Sequence, residues 1–168
     1  MFVLLISRPT SVKCNVNPPM SSFELYQQEV IGDTTSDNTV IITNSPLGLL
    51  AVEAQPLTSG ASTTSTRVGT VYGTASQKGS RTSSSDVVFL VLDFHVAGSF
   101  VIDGKSKYVN GTFIVVGAVD LVQPTRSLPI LGGTGDFLAA KGFVVQSYAS
   151  GDVTSNVTSI KSEVMYWN

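Results

Sequence analysis

One histidine, one cysteine and one tryptophan in 168 residues leave little room for several kinds of chemistry. His95 has no second histidine with which to relay protons or share a metal, and Cys14 has no partner for an internal disulfide or a multi-cysteine metal site. No metal and no cofactor is therefore expected. Charge is equally sparse, at 13% of residues with a formal net charge of −2, so nothing draws the chain to nucleic acid or an anionic membrane surface. No stretch approaches the ~20 apolar residues that a spanning helix requires. Long runs rich in Ala, Leu, Glu and Lys are missing too, and with them the usual material of helices.

What remains is Ser, Thr, Gly and Val, a composition of strands and turns. The length suits one domain with a sizeable core. Residues 1–21 read as a leader or extended tail. Met1 to Ile6 is apolar, but Arg8-Pro9 interrupts it early, so the segment suggests a weak or truncated secretion signal. The domain proper is placed at 22–168. Strands are expected at 23–31, 39–43, 49–57, 67–77, 86–96, 107–118, 137–148 and 156–166, separated by a polar loop at 58–66 and by turns at 78–85 and 98–104. The strand from Asp86 to Val96 puts Val88, Leu90, Leu92, Phe94 and Val96 on one face. Its other face turns polar at Asp93 and His95. About eight such strands joined by short turns suggest a closed barrel or a sandwich, and an eight-stranded barrel has a lumen wide enough for one small ligand.

The chain's most distinctive stretch is Pro129-Ile-Leu-Gly-Gly-Thr-Gly-Asp136-Phe137-Leu-Ala-Ala-Lys141-Gly142. Its glycines permit a tight turn. No Lys-Ser/Thr pair follows at the spacing of a phosphate loop, and the residues after Gly142 are strand-like rather than helical. The turn is better read as delivering Asp136 and Lys141 to a pocket rim that Phe137 helps to enclose. Plain alternation would send two residues five apart to opposite faces, so both reach one pocket only through a bulge or a bend after Gly135.

These residues resemble the signature of the plant dirigent family, GGTG-D-F-x-x-A-R-G. Arg67 to Gln77 is similar to that family's R-A-Q-G-x-Y-x-x-A-S-Q strand, Tyr108 to Thr112 to its Y-N-G-S/T segment, and Pro56 to Gly60 to its P-L-T-x-G loop. The matches keep the family's order over roughly residues 23–148. The resemblance implies an all-β, eight-stranded antiparallel barrel of the dirigent and allene oxide cyclase type, usually a homotrimer and secreted to the apoplast. It implies a phenolic partner: dirigent proteins orient monolignol radicals supplied by a separate oxidase, a laccase or peroxidase. Some members cyclise quinone methides. Stereoselective coupling or cyclisation without an oxidative centre of its own, in lignan- or lignin-type phenylpropanoid metabolism, is the function so implied. An allene oxide cyclase-like isomerase of a lipid epoxide is the alternative, because Leu25-Tyr-Gln-Gln-Glu29 resembles that enzyme's L-Y-x-Y-E setting. Asp136 after the glycine turn, and Ile31 where the cyclase has asparagine, favour the dirigent reading. A non-catalytic, defence-associated cell-wall binding protein is the third possibility.

Several positions depart from the family. Gln28-Glu29 replaces His-Asp, Lys141 replaces arginine and so loses the planar donor fork, and Thr74 stands at a second pocket tyrosine. The candidate catalytic residues are Asp136, Lys141 and Glu29, the last through a pKa raised by burial if it faces the lumen. The alternative for Asp136 is a carboxylate satisfying backbone donors in its own turn. Tyr72, Thr74, Asp93, His95 and Phe137 are candidates for substrate contact, with Asp93 the natural partner of His95. Asn110-Gly-Thr and Asn156-Val-Thr are glycosylation sequons if the chain is secreted.

Overall fold

The computed structural model describes residues 19–30, 39–45, 48–78, 87–120, 122–152 and 157–167. The expectations for Cys14, for Asn156 and for the leader up to residue 18 fall outside them. The described residues form nine antiparallel strands: β1 (Ser21–Val30), β2 (Thr39–Ser45), β3 (Gly48–Thr58), β4 (Arg67–Lys78), β5 (Val87–Ile102), β6 (Lys105–Asp120), β7 (Thr125–Gly133), β8 (Lys141–Asp152) and β9 (Val157–Trp167). They run in the order β1-β9-β8-β7-β6-β5-β4-β3-β2, and β1 returns to pair with the end of β3 through Tyr26–Thr58 and Gln27–Leu57. Eight strands therefore close an antiparallel barrel. β2 lies beside β3 and pairs along its first half, from Thr39–Glu53 to Ser45–Gly48.

The expected count of eight holds for the barrel, but its membership differs. Thr125–Gly133, which has Pro124 just before it and Pro129 inside it, is a full barrel strand. The strand expected at 39–43 is the additional one beside β3. Two further boundaries are corrected. β5 continues through Gly98 to Ile102 without turning, because Val96, Phe100 and Ile102 keep the inward alternation, and the reversal comes at Asp103-Gly104. The strand expected from Phe137 begins instead at Lys141, after a 3₁₀ turn over Gly135–Phe137.

Alternation decides which side chains fill the barrel. Phe23 and Leu25 of β1, Leu57 of β3, Val71 of β4, the even-numbered residues of β5, Val109, Phe113 and Val115 of β6, Leu128 and Ile130 of β7, Val144 of β8, and Val164 and Tyr166 of β9 are all buried there. Aromatic rings concentrate at one end. Phe94 stacks on Phe113 at 4.7 Å between ring centroids, and Phe137 lies against Phe23, Phe113 and Tyr166. Burial of these rings stabilises the barrel by ~25 cal/mol per Å² of apolar area. The rings fill that end of the barrel interior.

Candidate functional site

Toward the other end of the barrel the same inward phase carries polar groups. Gln27 and Glu29 continue the line of Phe23 and Leu25 on β1. Gln55 and Glu53 continue the line of Leu57 on β3, Gln146 that of Val144 on β8, Ser162 that of Val164 on β9, and Arg126 precedes Leu128 on β7. Gln27, Gln55, Gln146 and Ser162 are at most 3% exposed. Buried amides persist only when their donors and acceptors are matched. Here they are matched to one another and to the charged groups at the edge. Arg126 Nε donates to Gln146 Oε1 at 3.1 Å. Gln146 Nε2 reaches Gln27 Oε1 and Ser162 Oγ, each at 3.4 Å. Gln27 Nε2 donates to Gln55 Oε1, and Gln55 Nε2 donates to Glu53 Oε2 at 2.9 Å.

The electrostatics follow from that placement. Burial, then the nearby Glu29 carboxylate, pushes the Glu53 carboxyl up to about 7, opposed by the guanidinium of Arg126. Burial also lowers the pKa of Arg126, which Glu29 and Glu53 raise again, and an arginine remains charged at any physiological pH. Among the described residues, the carboxyls of Glu29 and Glu53 and the guanidinium of Arg126 thus meet in the lumen. Near neutrality Glu53 is divided between its protonated and ionised forms, an arrangement able to donate a proton and to hold a polar oxygen on the cation.

Of the sequence candidates, Glu29 is brought into this cluster. The others are elsewhere. Asp136 sits in the 3₁₀ turn near the aromatic end, where its Oδ2 accepts the Asn110 backbone N–H at 2.8 Å. Lys141 opens β8 on the outer wall, exposed, one residue out of phase with the inward Gly142, Val144 and Gln146. The bend after Gly135 exists, but it does not bring Asp136 and Lys141 onto one face. Phe137 is fully buried among other aromatic rings, which leaves no surface for a ligand to touch. Tyr72, Thr74, Asp93 and His95 lie on the outside of β4 and β5, where Tyr72 pairs with Asp93 and Thr74 with Val91. His95 Nε2 is 3.0 Å from Asp93 Oδ2, and the Tyr72 ring meets the imidazole edge-on at 5.1 Å. Tyr72 and His95 border a shallow outer groove of about 480 Å³ together with Asn110, Thr112 and Thr134. A ligand they touch would lie in that groove and not in the lumen. Asn110 itself is exposed, as a glycosylation acceptor must be.

Glu53, Arg126, Gln55 and Gln146 were not anticipated. The signal was present for the glutamines: each alternates in phase with inward apolar residues, an unusual place for a long amide unless it is partnered.

The motifs that bear the family resemblance are packed against each other. Thr134 bonds Thr112 through its backbone N–H, at 2.8 Å to the Thr112 carbonyl, and through its hydroxyl, at 2.9 Å to that of Thr112. Gly135 has φ +59, and a Cβ there would stand 2.3 Å from the Asn110 carbonyl oxygen. A family model described as dirigent-like protein matches residues 20–166.

The chain belongs to the dirigent family. Among the curated dirigent proteins it is 33% identical to dirigent protein 1 of Arabidopsis thaliana over 105 residues, covering 61% of this chain and 50% of that one. It is 29% identical to dirigent protein 14 of the same plant over 133 residues, covering 74% and 66%. The chain thus spans half to two thirds of the length of these relatives. A solved structure of a pterocarpan synthase dirigent protein superposes with a TM-score of 0.71 at 19% identity, over 91% of this chain and 98% of that one. At that identity the likeness is one of fold.

Proposed function

We propose that this dirigent-family chain takes a phenol-derived intermediate, a phenoxy radical or a quinone methide, into the polar end of its barrel and biases the stereochemistry of coupling or ring closure. The observation that supports this most directly is the inward trio of Glu29, Glu53 and Arg126, set beside an apolar barrel interior, with Glu53 holding its proton up to about pH 7. An aromatic ring suits the apolar wall, and its oxygen suits the guanidinium, which donates several hydrogen bonds in one plane. For a quinone methide the step balances without an oxidant. Glu53 passes its proton to the carbonyl oxygen, the ligand's own hydroxyl oxygen bonds to the exocyclic carbon, and the hydroxyl proton returns to Glu53. The name of one structural relative, a pterocarpan synthase, is consistent with ring closure of this kind. For radical coupling a separate oxidase of the laccase or peroxidase class supplies the radicals, and the chain contributes orientation. Secretion to the apoplast, glycosylation at Asn110 and a role in lignan-type metabolism belong to the same proposal.

Chiral chromatography tests it. Coniferyl alcohol coupled by an added oxidase, and a quinone methide incubated alone, are each run with and without the protein. An enantiomeric excess in either experiment that appears only with the protein supports the reading. Racemic products throughout, with folded protein, overturn it.

A further inference from the structure

The hydrogen bonds around Glu53 all point the same way. Starting from Arg126 Nε–H, each group donates to the oxygen of the next: Gln146, then Gln27, then Gln55, then Oε2 of Glu53. The path visits four strands, β7, β8, β1 and β3, and crosses the closure of the barrel between β1 and β3. The guanidinium end imposes this orientation, and the carboxyl end is compatible with it. A guanidinium only donates, so Gln146 must present its oxygen, and its NH₂ is then committed to the next residue. A carboxyl keeps an accepting oxygen in either protonation state, and Gln55 presents its NH₂ to it, so that its own oxygen faces back along the chain. Turning any one amide around would set two NH₂ groups or two oxygens against each other at buried positions. Three aligned amide dipoles between a cation and a carboxyl reinforce one another, and in a dry interior such alignment strengthens each bond by ~10–30%.

We propose that Gln146, Gln27 and Gln55 are positioning residues, forming a one-way relay that couples Arg126 to Glu53 and holds the Glu53 carboxyl in one orientation toward a phenolic ligand. This rests on the lumen reading given above. It adds that the protonation of Glu53 is felt at Arg126 through the amides, and that an oxygen docked on Arg126 is felt at Glu53. The ionised groups that act on Glu53 are Glu29 from β1 and Arg126 from β7, and the three amides join Arg126 to Glu53 by an unbroken run of hydrogen bonds. If the amides merely filled one another's bonding capacity, Arg126 and Glu53 would sense each other only as charges through space, and the amides between them would not follow the Glu53 proton.

The test follows the side-chain NH₂ signals of the glutamines by ¹⁵N NMR from pH 5 to 9. In the wild-type protein the signals of Gln55, Gln27 and Gln146 should move with one shared midpoint, near the value of about 7 for Glu53. Gln28 is the internal control, since it is buried on the same strand as Gln27 but bonded to Thr58 and Ser159 instead; its signal should stay still. In Glu53→Gln the movement should disappear from all three. In Gln27→Met, Gln55 should still titrate while Gln146 stops. A Gln55 signal that titrates while Gln27 and Gln146 remain flat would overturn the relay, as would the absence of any midpoint between pH 6 and 8. The wild-type titration decides the matter even if Gln27→Met does not fold. No substrate enters the experiment, so the relay and the stereochemical function fail separately.

Discussion

The Asp136 carboxylate accepts the backbone N–H of Asn110 at 2.8 Å and so ties the glycine turn to β6. The most recognisable residue of the family signature thus bonds a backbone donor outside its own turn. The same turn brings Gly135 within reach of the Asn110 carbonyl in a left-handed conformation, where a side chain would be both strained and obstructed. Gly135→Ala should therefore cost more than Asp136→Ala. Removing the carboxylate forfeits one charge-assisted hydrogen bond, about 1–2 kcal/mol. The alanine at Gly135 adds positive-φ strain to a backbone clash, more than ~2 kcal/mol together. Thermal melts of the two variants check the order. A Gly135→Ala protein as stable as wild type would show that the turn is not seated on β6.

Glu53 gives stability a pH dependence with a definite sign. Its folded value is about 7 against an ordinary 4.5, so between these limits the folded protein keeps a proton that the unfolded chain has released. The associated stability is full below 4.5, falls as pH rises through the window and is gone above about 7. The shift corresponds to at most about 3 kcal/mol. Glu53→Gln, which cannot ionise, should lie close to wild type at pH 4.5 and exceed it at pH 8. Urea unfolding at the two values is the measurement. A variant that is less stable than wild type by the same amount at both would remove the raised pKa from consideration.

The barrel was legible in the sequence because a strand with one buried face alternates, and β5 does so plainly. The site was less legible because the pattern inverts at the polar end. On β3, Glu53 and Gln55 point inward while Val52 lies outside, 36% exposed. Across β5, Phe89 is outward at 47% and Leu90 inward at 7%. Alternation reports two faces but not which one is inside, and a single glutamate or arginine within a strand is by default assigned to solvent. Only the register of β1, β3, β7 and β8 shows that Glu29, Glu53 and Arg126 converge. Asp93 and His95 illustrate the converse, since they do form a pair, on the outer wall. β7 was hidden by its prolines, which occur where strand hydrogen bonding is not required.

The outward apolar residues carry a prediction of their own. Leu50 of β3 pairs with Ser76 of β4, which pairs with Phe89 of β5, which pairs with Ala118 of β6. One row further along the strands run Val52, Thr74, Val91 and Val116. Apolar side chains on β3, β5 and β6, interrupted only by Ser76 and Thr74 of β4 in these two rows, are more than a solvated wall needs. We propose that copies of this chain bury it against one another in the homotrimer that the family resemblance implies. Phe89→Asp places a charge in that contact without touching the lumen, because Phe89 alternates with the inward Leu90. Sedimentation should show trimer for wild type and monomer for the variant at micromolar concentration. A wild-type monomer at all concentrations would end the proposal.

Arg126 offers the sharpest test of where the ligand sits. It is the lumen's cation, it starts the chain of hydrogen bonds that ends at Glu53, and an oxygen of a phenolic ligand has no comparable donor nearby on the inward faces described. Arg126→Met retains most of the side chain's volume and apolar stem but removes the charge and every donor. It also leaves Glu29 and Glu53 without their cation, which should push the Glu53 pKa further up. The enantiomeric excess in the coupling or cyclisation assay should fall to that of the tube without protein, a loss of about tenfold or more in selectivity, as follows when ~1.4 kcal/mol of differential binding disappears. Arg126→Lys, with one charged donor group in place of a planar fork, should keep part of it. Lys105→Met, in the exposed reversal between β5 and β6, removes a positive charge from the outside and should leave selectivity unchanged. Circular dichroism confirms that each variant is folded before its products are compared. Full selectivity in folded Arg126→Met would move the binding site out of the lumen, and the outer groove beside Tyr72 and His95 would then be the place to look.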